Sequence, residues 1–385
     1  MEQRILSEGS FPLDTAAKSY TQLPDPDFQN QDAVFSQAFE LLHHAIAERA
    51  FPAASLAVTH REKLIILKSM GRFSYEPNSP QVTTDSIFDL ASASKVVATT
   101  SMAMILYERG LLDLEAPVAA LIPEFGAADS RKAEVTVRML LAHSSGLPAY
   151  EKLFLRVKNR EELLAAAFTT PVTADPGTRA EYSDIGFIIL GAALERIADE
   201  PLDRFCQREV FGPLGMSRTT FNPPANWRAS FVPTADDRTF RRRVIQGEVQ
   251  DENASVLGGV AGHAGVFSTV QDIAIFAQAM LNGGAPIVRR ETLAQFTRRE
   301  SSPVGTSRAL GWDTPSTPSQ SGKYFSSYSF GHLGYTGTSL WIDPERQLSV
   351  TFLTNRTWPD CKNEAIKQVR PQIHDTITEA LEKSE

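Results

Sequence analysis

The sequence predicts an α+β protein with one antiparallel sheet of about five or more strands, flanked by helices and built from both ends of the chain. Two observations predict this fold. Short apolar runs bounded by turn residues occur near the two ends, at 54–59, 64–69, 324–330, 339–342 and 348–354. The long stretch between them shows helical periodicity broken by proline and glycine, which indicates a mostly helical insertion.

The first elements along the chain are a helix, a hairpin and a second helix. Residues 33–49 carry apolar side chains on one side and end before Pro52, which predicts a helix. The charged segment 60–63 separates the first two strand-like runs and predicts an antiparallel hairpin. Residues 95–109 again have a helical pattern, so Ser92 is expected at the start of a helix.

Helical patterns predominate in the middle of the chain and return at its C-terminal end. Those in the middle span 135–142, 185–198 and 270–282. The last of them follows Ser268-Thr269-Val270-Gln271, a capping-box sequence. The final pattern repeats apolar residues three or four positions apart from Ile366 to Leu381, which predicts a helix with a kink at Pro371.

These patterns predict a division of the chain into three parts. Residues 1–32 form a polar N-terminal extension, residues 33–110 and 305–385 form the sheet domain, and residues 111–304 form the inserted helical domain. We expect the active site in the cleft between the last two parts, where ligand sites commonly lie.

Composition and charge argue against several classes of partner. The 385 residues carry a net charge of 38 − 46 = −8, and 42% of them are apolar, enough for a large core. The basic run Arg241-Arg242-Arg243 is interpreted as a solvated loop, so no nucleic-acid partner is expected. The N-terminus lacks the features of a secretory signal, and no apolar stretch reaches the roughly 20 residues that cross a bilayer. We therefore expect a cytoplasmic protein without a membrane partner, and the oligomeric state stays open.

No disulfide, metal or cofactor is expected. Cys206 and Cys361 lack C-x-x-C spacing and are interpreted as buried thiols. The seven histidines show no H-E-x-x-H or H-x-H spacing. The glycine-rich loop around His263 could line a cleft, but it lacks the Lys-Ser or Lys-Thr of a phosphate loop. Asp251-Glu252 is interpreted as a solvated acidic loop rather than a catalytic carboxylate pair.

The strongest chemical signal is Ser92-Ala93-Ser94-Lys95, at the predicted start of a helix. A helix places residues three apart on one face, so the amine of Lys95 should lie near the hydroxyl of Ser92. A lysine can act as a base for serine where burial lowers its pKa, and the apolar residues after Lys95 favour burial. Taken alone, the motif is better explained by Ser92 or Ser94 capping a helix, with Lys95 as a solvated residue of its first turn.

A second motif, Tyr182-Ser183-Asp184, precedes a strongly apolar segment. A phenol held between the lysine and the serine could relay a proton, because a nearby ammonium favours the phenolate. Asp184 could accept a hydrogen bond from Lys95. The structural alternative is that Tyr182 packs at the edge of the core while Ser183 or Asp184 caps a helix.

A third motif, His332-Leu333-Gly334, lies at the end of a predicted strand. His332 could hydrogen-bond the serine and tyrosine, while Gly334 would let a ligand approach the backbone closely. The N–H of Tyr335 could serve as a second oxyanion donor. The alternative is an ordinary glycine-rich turn after a strand.

Together the three motifs resemble those of the serine β-lactamase and penicillin-binding protein superfamily, in particular its class C-like branch, which includes the family VIII carboxylesterases. Further segments look like family signatures, namely 87–95, 135–148, 176–190, 211–216 and 337–344. The resemblance covers about 33–381 and implies a β-lactamase/transpeptidase-like fold. It also implies that Ser92 forms an acyl-enzyme, with Lys95 and Tyr182 sharing the proton transfers. The N–H groups of Ser92 and Tyr335 would form the oxyanion hole, and water activated by Tyr182 would release the acyl group.

Two departures from the family pattern concern the substrate. Asp184 stands where the middle motif usually ends in asparagine, and an ionised carboxylate cannot donate to a substrate amide carbonyl. His332-Leu333-Gly334 replaces the usual Lys-Thr-Gly or Lys-Ser-Gly, so a cation and a hydroxyl that grip a substrate carboxylate are lost. Gly334, Thr336 and Thr338 are then the candidate substrate-binding residues. If residues 335–337 align with this motif instead, the second oxyanion donor becomes Thr338.

The residues favour a cofactor-free serine hydrolase acting on small esters or amides, with ester hydrolysis ahead of β-lactam hydrolysis because the carboxylate grip is missing. A DD-peptidase or D-amino-acid peptidase of the penicillin-binding type is the second hypothesis, although no secretory signal is seen. A catalytically silent binding module is the third, suggested by the altered second and third motifs. The expected partner is a small ester, amide or β-lactam molecule, with Asp184 and His332 supporting the catalytic residues.

Overall fold

A six-stranded sheet joins the two ends of the chain in the computed structural model, which describes residues 23–127 and 129–384. The strands are Asp25–Pro26 (β1), Ala53–His60 (β2), Lys63–Gly71 (β3), Phe88–Asp89 (β4), Thr220–Phe221 (β5), Ala235–Asp237 (β6), Arg243–Ile245 (β7), Val266–Ser268 (β8), Phe330–Leu333 (β9), Ser339–Asp343 (β10) and Leu348–Thr354 (β11). The large sheet has the order β1-β3-β2-β11-β10-β9. Its pairs are antiparallel except β1 beside β3, so the predicted antiparallel sheet is confirmed. Of the predicted N-terminal extension 1–32, residues 1–22 lie outside the described residues.

Helices are the predominant regular secondary structure between β4 and β9. The α-helices are Gln31–Val34 (α1), Ser36–Ala47 (α2), Ser101–Glu108 (α3), Val118–Leu121 (α4), Pro123–Gly126 (α5), Val137–Leu141 (α6), Arg160–Thr169 (α7), Asp184–Ala198 (α8), Leu202–Cys206 (α9), Glu252–Val256 (α10), Val270–Leu281 (α11), Arg290–Thr297 (α12) and Ile366–Ser384 (α13). Short 3₁₀ turns span Ala91–Ala93, Ser130–Glu134, Leu153–Leu155 and Ala225–Ser230, and π-helical segments span Lys95–Thr100 and Gln207–Phe211. Among the described residues, no helix is both long and apolar enough to span a membrane.

The two faces of the large sheet bury different residues because side chains alternate along each strand. On one face, Val58 of β2 and Phe352 of β11 pack against α2 and α13, whose Leu42 and Ile373 are buried in the same cluster. On the other face, Leu353 belongs to the larger core cluster that also contains α11. Each face is thus covered by helices, in agreement with the predicted α+β architecture.

Helix α11 lies on the sheet although it falls within the region predicted as an insertion. It packs against β2, β10 and β11, and 11 of its 12 residues are buried. The hydroxyl of Thr269 caps it by accepting the N–H of Asp272, so the cap lies one residue later than the predicted capping box Ser268–Gln271 places it. The predicted boundary at residue 304 stays a prediction, and α11 supplies part of the sheet's covering layer.

The prediction of a strand at 324–330 is wrong for all but the last residue, since β9 begins at Phe330. The N–H and the hydroxyl of Ser326 both donate to the carboxylate of Asp343, at 2.7 and 2.8 Å. These contacts hold the chain in a turn before the strand. Because Asp343 is 17 residues away in sequence, no local pattern shows the contact.

Two loop residues differ from their predicted environments. Cys206 is buried as expected, whereas Cys361 is exposed because it lies in a turn-rich connection between β11 and α13. Arg241 is not solvated, since its guanidinium pairs with Asp237 and donates to the carbonyls of Val249 and Gln250, both at 2.6 Å. The neighbouring Arg242 and Arg243 are exposed as predicted.

Helix α8 and the loop 257–265 touch through two glycines. A Cβ atom on Gly191 would lie 2.8 Å from the Cα of Gly262, and one on Gly262 would lie 2.1 Å from the carbonyl oxygen of Phe187. Real side chains are not found so close to backbone atoms, so the two segments meet only because both residues are glycine. This contact fixes the position of the loop that carries His263.

We expect Gly191→Ala to destabilise the protein by about 1–3 kcal/mol, because its methyl group has no room against Gly262. Gly186→Ala in the same helix is the matched control, since its Cβ would meet only ordinary contacts of 3.5 Å or more. The control should be neutral or more stable by about 0.5–1 kcal/mol, the usual gain for Gly→Ala inside a helix. Urea unfolding of the three proteins measures both effects. Equal stabilities of the two variants would contradict the close approach.

Candidate active site

Ser92 lies in the 3₁₀ turn Ala91–Ala93, between β4 and the π-helical segment that begins at Lys95. Ala91 has φ of 46°, a left-handed conformation that is uncommon for a residue with a Cβ atom. The carboxylate of Asp89 accepts the N–H of Ala91 at 2.8 Å, which helps to hold this turn. Such strain costs on the order of 1–3 kcal/mol and is found mainly where the surrounding structure enforces it. The sequence prediction of a regular helix start is therefore replaced by a strained turn that presents the serine.

Lys95 is fully buried, and its amine has three neighbours. The Nζ atom lies 3.0 Å from Ser92 Oγ, 2.7 Å from Asp184 Oδ1 and 2.9 Å from the carbonyl oxygen of His263. The predicted approach of Lys95 to both Ser92 and Asp184 is present in the structure. The contact with His263 was not predicted, because it joins residues 168 positions apart through a backbone atom.

The contacts of Lys95 orient its lone pair when the amine is neutral. Burial lowers the pKa of Lys95 below its ordinary value, and the charge of Asp184 acts in the opposite direction. A neutral amine has two N–H bonds, which a carboxylate and a carbonyl can accept, and one lone pair. With Asp184 and His263 taking the two N–H bonds, the lone pair faces Ser92. The arrangement suits removal of the serine proton.

Tyr182 contacts the same serine from the other side. Its hydroxyl donates to Ser92 Oγ at 2.6 Å, and the amine of Lys95 lies 4.8 Å from the centre of its ring. Burial raises the pKa of Tyr182 well above its ordinary value, and the charge of Asp184 raises it further. The expectation that the nearby ammonium favours a phenolate is therefore wrong for the resting site. The phenol is neutral and acts as a hydrogen-bond donor.

The second motif is held in place by a cap and by a buried histidine. The hydroxyl of Ser183 accepts the N–H of Gly186 at 3.0 Å and caps helix α8. The N–H of Ser183 donates to Nδ1 of His143 at 3.0 Å, and the His143 ring lies 4.7 Å from that of Tyr182. Ser183 therefore both caps helix α8 and holds the backbone next to Tyr182 in place.

His332 lies beside this group but is a neutral residue. Its ring centre is 6.2 Å from that of Tyr182, and its Nδ1 donates to the carbonyl of Leu333 at 2.7 Å. Burial, together with the charges of Lys95 and Arg308, lowers the pKa of His332 to about 3. The histidine therefore does not replace the positive charge of the lysine that the third motif usually carries.

The turn after β9 packs against the segment that precedes Ser92. A Cβ atom on Gly334 would lie 2.4 Å from the carbonyl oxygen of Leu90. The hydroxyl of Thr336 donates to the carbonyl of Asp89 at 2.8 Å and lies 3.2 Å from that of Thr338, and both side chains are buried. These threonines, considered candidates for substrate binding, thus hold the turn. Tyr335 is 49% exposed and lies at the surface of the site.

Arg308 belongs to the site although no motif marked it. Its guanidinium carbon lies 5.5 Å from the centre of the Tyr182 ring, and one of its nitrogens pairs with Asp313. Its charge contributes to the low pKa of both His143 and His332. The side chain is 21% exposed, so it can reach a ligand. Sequence reasoning missed it because residues 305–313 form an irregular loop without a recognisable spacing.

The loop interpreted as solvated and acidic is instead part of the support for Lys95. Asp251 accepts from Nε2 of His263 at 2.8 Å, and the His263 side chain is 1% exposed. Asp251 also caps α10 by accepting the N–H of Ala254. The hydrogen bond between Asp251 and His263 holds His263 in place, and the backbone carbonyl of His263 accepts from Lys95. Among the described residues, no group of His, Cys, Asp and Glu side chains has the arrangement of a metal site.

Comparison with known proteins gives the same answer as the three motifs. Residues 37–371 match the sequence profile of the Beta-lactamase family. The chain belongs to the β-lactamase family. A relative from Salmonella agona (strain SL483), named "Putative D-alanyl-D-alanine carboxypeptidase", is 32% identical over 351 residues, and the match covers 80% of this chain and 80% of the relative.

Two solved structures show the shared fold. The β-lactamase from Sulfitobacter sp. EE-36 superimposes with a TM-score of 0.73 at 20% identity, covering 92% of this chain and 99% of the other. The hydrolase EstCE1, described as having promiscuous acyltransferase activity, gives a TM-score of 0.72 at 19% identity, covering 91% and 99%. The predicted β-lactamase/transpeptidase-like fold is confirmed. The chain is a serine hydrolase of the β-lactamase family.

We expect Asp184→Asn to move the acidic limb of the pH profile of kcat/KM to lower pH. The carboxylate favours the charged form of Lys95, so its removal lowers the lysine pKa and keeps the amine neutral in more acidic solution. Neighbouring charges of this kind shift a pKa by about 1–3 units. The side-chain oxygen of asparagine can still accept the hydrogen bond from Lys95. Hydrolysis of p-nitrophenyl butyrate across a pH series measures the limb.

Asp199→Asn is the control for this change. Asp199 lies at the other end of helix α8, and its left-handed backbone suits asparagine as well as aspartate. The control should leave the limb unmoved. If the acidic limb of the Asp184→Asn profile stays in place or moves to higher pH, Lys95 is not the titrating base.

Proposed function

We propose that the protein hydrolyses small esters or amides through an acyl-enzyme on Ser92. One observation carries this proposal. Ser92 Oγ lies 3.0 Å from the amine of Lys95 and 2.6 Å from the hydroxyl of Tyr182. Ser92 Oγ attacks the acyl carbon while its proton passes to the neutral amine of Lys95. The carbonyl oxygen becomes an oxyanion, which the N–H groups of Ser92 and Tyr335 stabilise.

Collapse of the tetrahedral intermediate breaks the bond to the leaving group. Tyr182 gives its hydroxyl proton to the leaving oxygen or nitrogen, which departs neutral, and the proton held by Lys95 restores the phenol. Water then attacks the ester formed on Ser92, and Tyr182 takes its proton while passing its own to Lys95. The bond between the acyl carbon and Ser92 Oγ then breaks, the carboxylic acid leaves, and Lys95 returns its proton to Ser92. Because Tyr182 is neutral at rest, it relays protons rather than acting as a standing phenolate. Each step conserves protons without a metal or an oxidant.

Labelling by a fluorophosphonate probe tests this proposal. We expect the folded protein to react at Ser92, as located by peptide mapping, and Ser92→Ala to be unlabelled. Ser101→Ala is the matched control, because Ser101 is a buried serine of the next helical segment whose hydroxyl donates to the carbonyl of Val96 at 3.0 Å. The control should keep its labelling. A folded wild-type protein that stays unlabelled and inert toward p-nitrophenyl butyrate would support a silent binding module instead.

A carboxypeptidase acting on D-alanyl peptides is the second candidate, and Arg308 is the observation that favours it. The lysine that usually grips a substrate carboxylate is missing, and His332 is neutral. Arg308 supplies a partly exposed cation beside Tyr182, within the same site. A guanidinium binds a carboxylate with two parallel hydrogen bonds, so Arg308 could hold the free carboxylate of a peptide. The name of the Salmonella relative agrees with this possibility.

We expect Arg308→Gln to separate the two candidates. If the enzyme releases D-alanine from a muramyl pentapeptide analogue, the variant should lose about tenfold or more in kcat/KM on that peptide, the scale of a charge-assisted hydrogen bond. On neutral p-nitrophenyl butyrate the loss should be under about threefold. Arg298→Gln is the control, because Arg298 is exposed and, within the described part of the chain, its guanidinium hydrogen-bonds only the side chain of Gln295. Absence of D-alanine release by the wild type would exclude the second candidate and leave the first intact.

A further inference from the structure

Helix α13 carries a buried arginine that has no counter-ion among the described residues. Arg370 is 4% exposed; its Nη1 donates to Oε1 of Gln320 at 3.0 Å and its Nη2 to the carbonyl of Thr338 at 3.4 Å. Both acceptors are neutral, and Nε has no hydrogen-bond partner in the described part of the chain. The charged group that acts on Arg370 is a second cation, Arg356. Buried charges in proteins are normally paired, so this guanidinium lacks an expected negative partner.

Two further buried groups with unused hydrogen-bonding capacity lie in the same layer. His374 follows Arg370 by one helical turn, is 0% exposed, and neither of its ring nitrogens has a partner among residues 23–127 and 129–384. The hydroxyl of Ser339 is also buried without a described partner. Ser339 pairs across the sheet with Phe352, which packs toward α13, so the serine faces that helix too. We call Ser339, Arg370 and His374 the Arg370 cluster.

We propose that the Arg370 cluster binds one monatomic anion, chloride under ordinary conditions, between β10 and α13. Such an ion accepts N–H and O–H bonds from the guanidinium, the hydroxyl and the imidazole at once, and it supplies the missing negative charge. All three side chains are at most 4% exposed, so the enclosure favours an ion over a larger ligand. A water molecule would accept the hydrogen bonds but leave the charge of Arg370 uncompensated.

The proposed site connects to the turn that carries Tyr335. The carbonyl of Thr338, which accepts from Arg370, also accepts the N–H of Gly334 at 2.7 Å. Burial lowers the pKa of Arg370 to about 9, as expected for a cation held without a negative partner. A bound anion would therefore stabilise both α13 and the turn beside the active site. Its binding is independent of the reaction at Ser92 and can be measured without substrate.

The test compares anions at constant ionic strength. The full-length protein is exchanged into sodium gluconate, and its Tm is followed as sodium chloride or sodium bromide replaces that salt. We expect a saturating rise in Tm, because an ion that binds only the folded state stabilises it by mass action. In bromide-soaked crystals, an anomalous peak should contact Nε of Arg370 and the hydroxyl of Ser339. The proposal would be overturned if the Tm did not change when chloride or bromide replaces gluconate. An ordered water without anomalous signal at this position would also overturn it.

Ser339→Ala removes one donor and should still fold, since it replaces a small buried group. We expect the chloride midpoint to rise by about tenfold, the usual scale for a hydrogen bond to a charged partner. Ser349→Ala is the matched control, because its hydroxyl bonds to that of Thr59 at 2.7 Å on the opposite face of the same sheet. The control should keep the wild-type midpoint. Equal midpoints in the two variants would count against the Arg370 cluster as the binding site.

Discussion

The buried amine of Lys95 is the group on which the rest of the site depends. Removing a charged amine from water costs several kcal/mol unless polar partners offset the loss. Here the partners come from separate parts of the chain, the carboxylate of Asp184 at the start of α8 and the carbonyl of His263 in a glycine-rich loop. Both must be in place for Lys95 to be buried at all. Since the remaining direction faces Ser92, the contacts that stabilise the amine also orient it for proton transfer.

Asp89 fixes the distance between the two segments that would form the oxyanion hole. Its carboxylate accepts the N–H of Ala91 at 2.8 Å and that of Gln250 at 2.7 Å, while its carbonyl accepts the hydroxyl of Thr336 at 2.8 Å. Ala91 and Thr336 are the direct neighbours of Ser92 and Tyr335, the two proposed donors. One buried residue therefore joins the nucleophile turn, the loop before Asp251 and the turn after β9. Burial raises the pKa of Asp89 to about 6, so the carboxylate loses its charge as the pH falls through that value.

Local patterns predicted what local interactions determine. Strand β11 has the predicted bounds because apolar residues alternate with polar ones up to a clear turn, and Ser92 and Lys95 meet because they are three residues apart on a helical segment. The roles of Asp89 and Arg308 depend on residues brought together from distant parts of the chain, so no spacing marked them. The protonation state of Tyr182 was misjudged for a related reason. The sequence indicated the nearby ammonium but gave no measure of the burial that outweighs it.

The distribution of positive charge separates the chemistry of the site from its substrate recognition. Lys95 is fully buried and Arg308 is 21% exposed, so only the arginine of this pair can meet a group on an incoming molecule. His332 does not carry the positive charge near neutral pH, since burial lowers its pKa to about 3. The ester hydrolysis that we propose uses Ser92, Lys95 and Tyr182 and requires no cation at the surface. The alternative proposal, a carboxypeptidase, uses the same three residues and adds Arg308 to bind the peptide carboxylate. The two candidate functions therefore share one reaction and differ in whether Arg308, held by Asp313 beside Tyr182, takes part in binding.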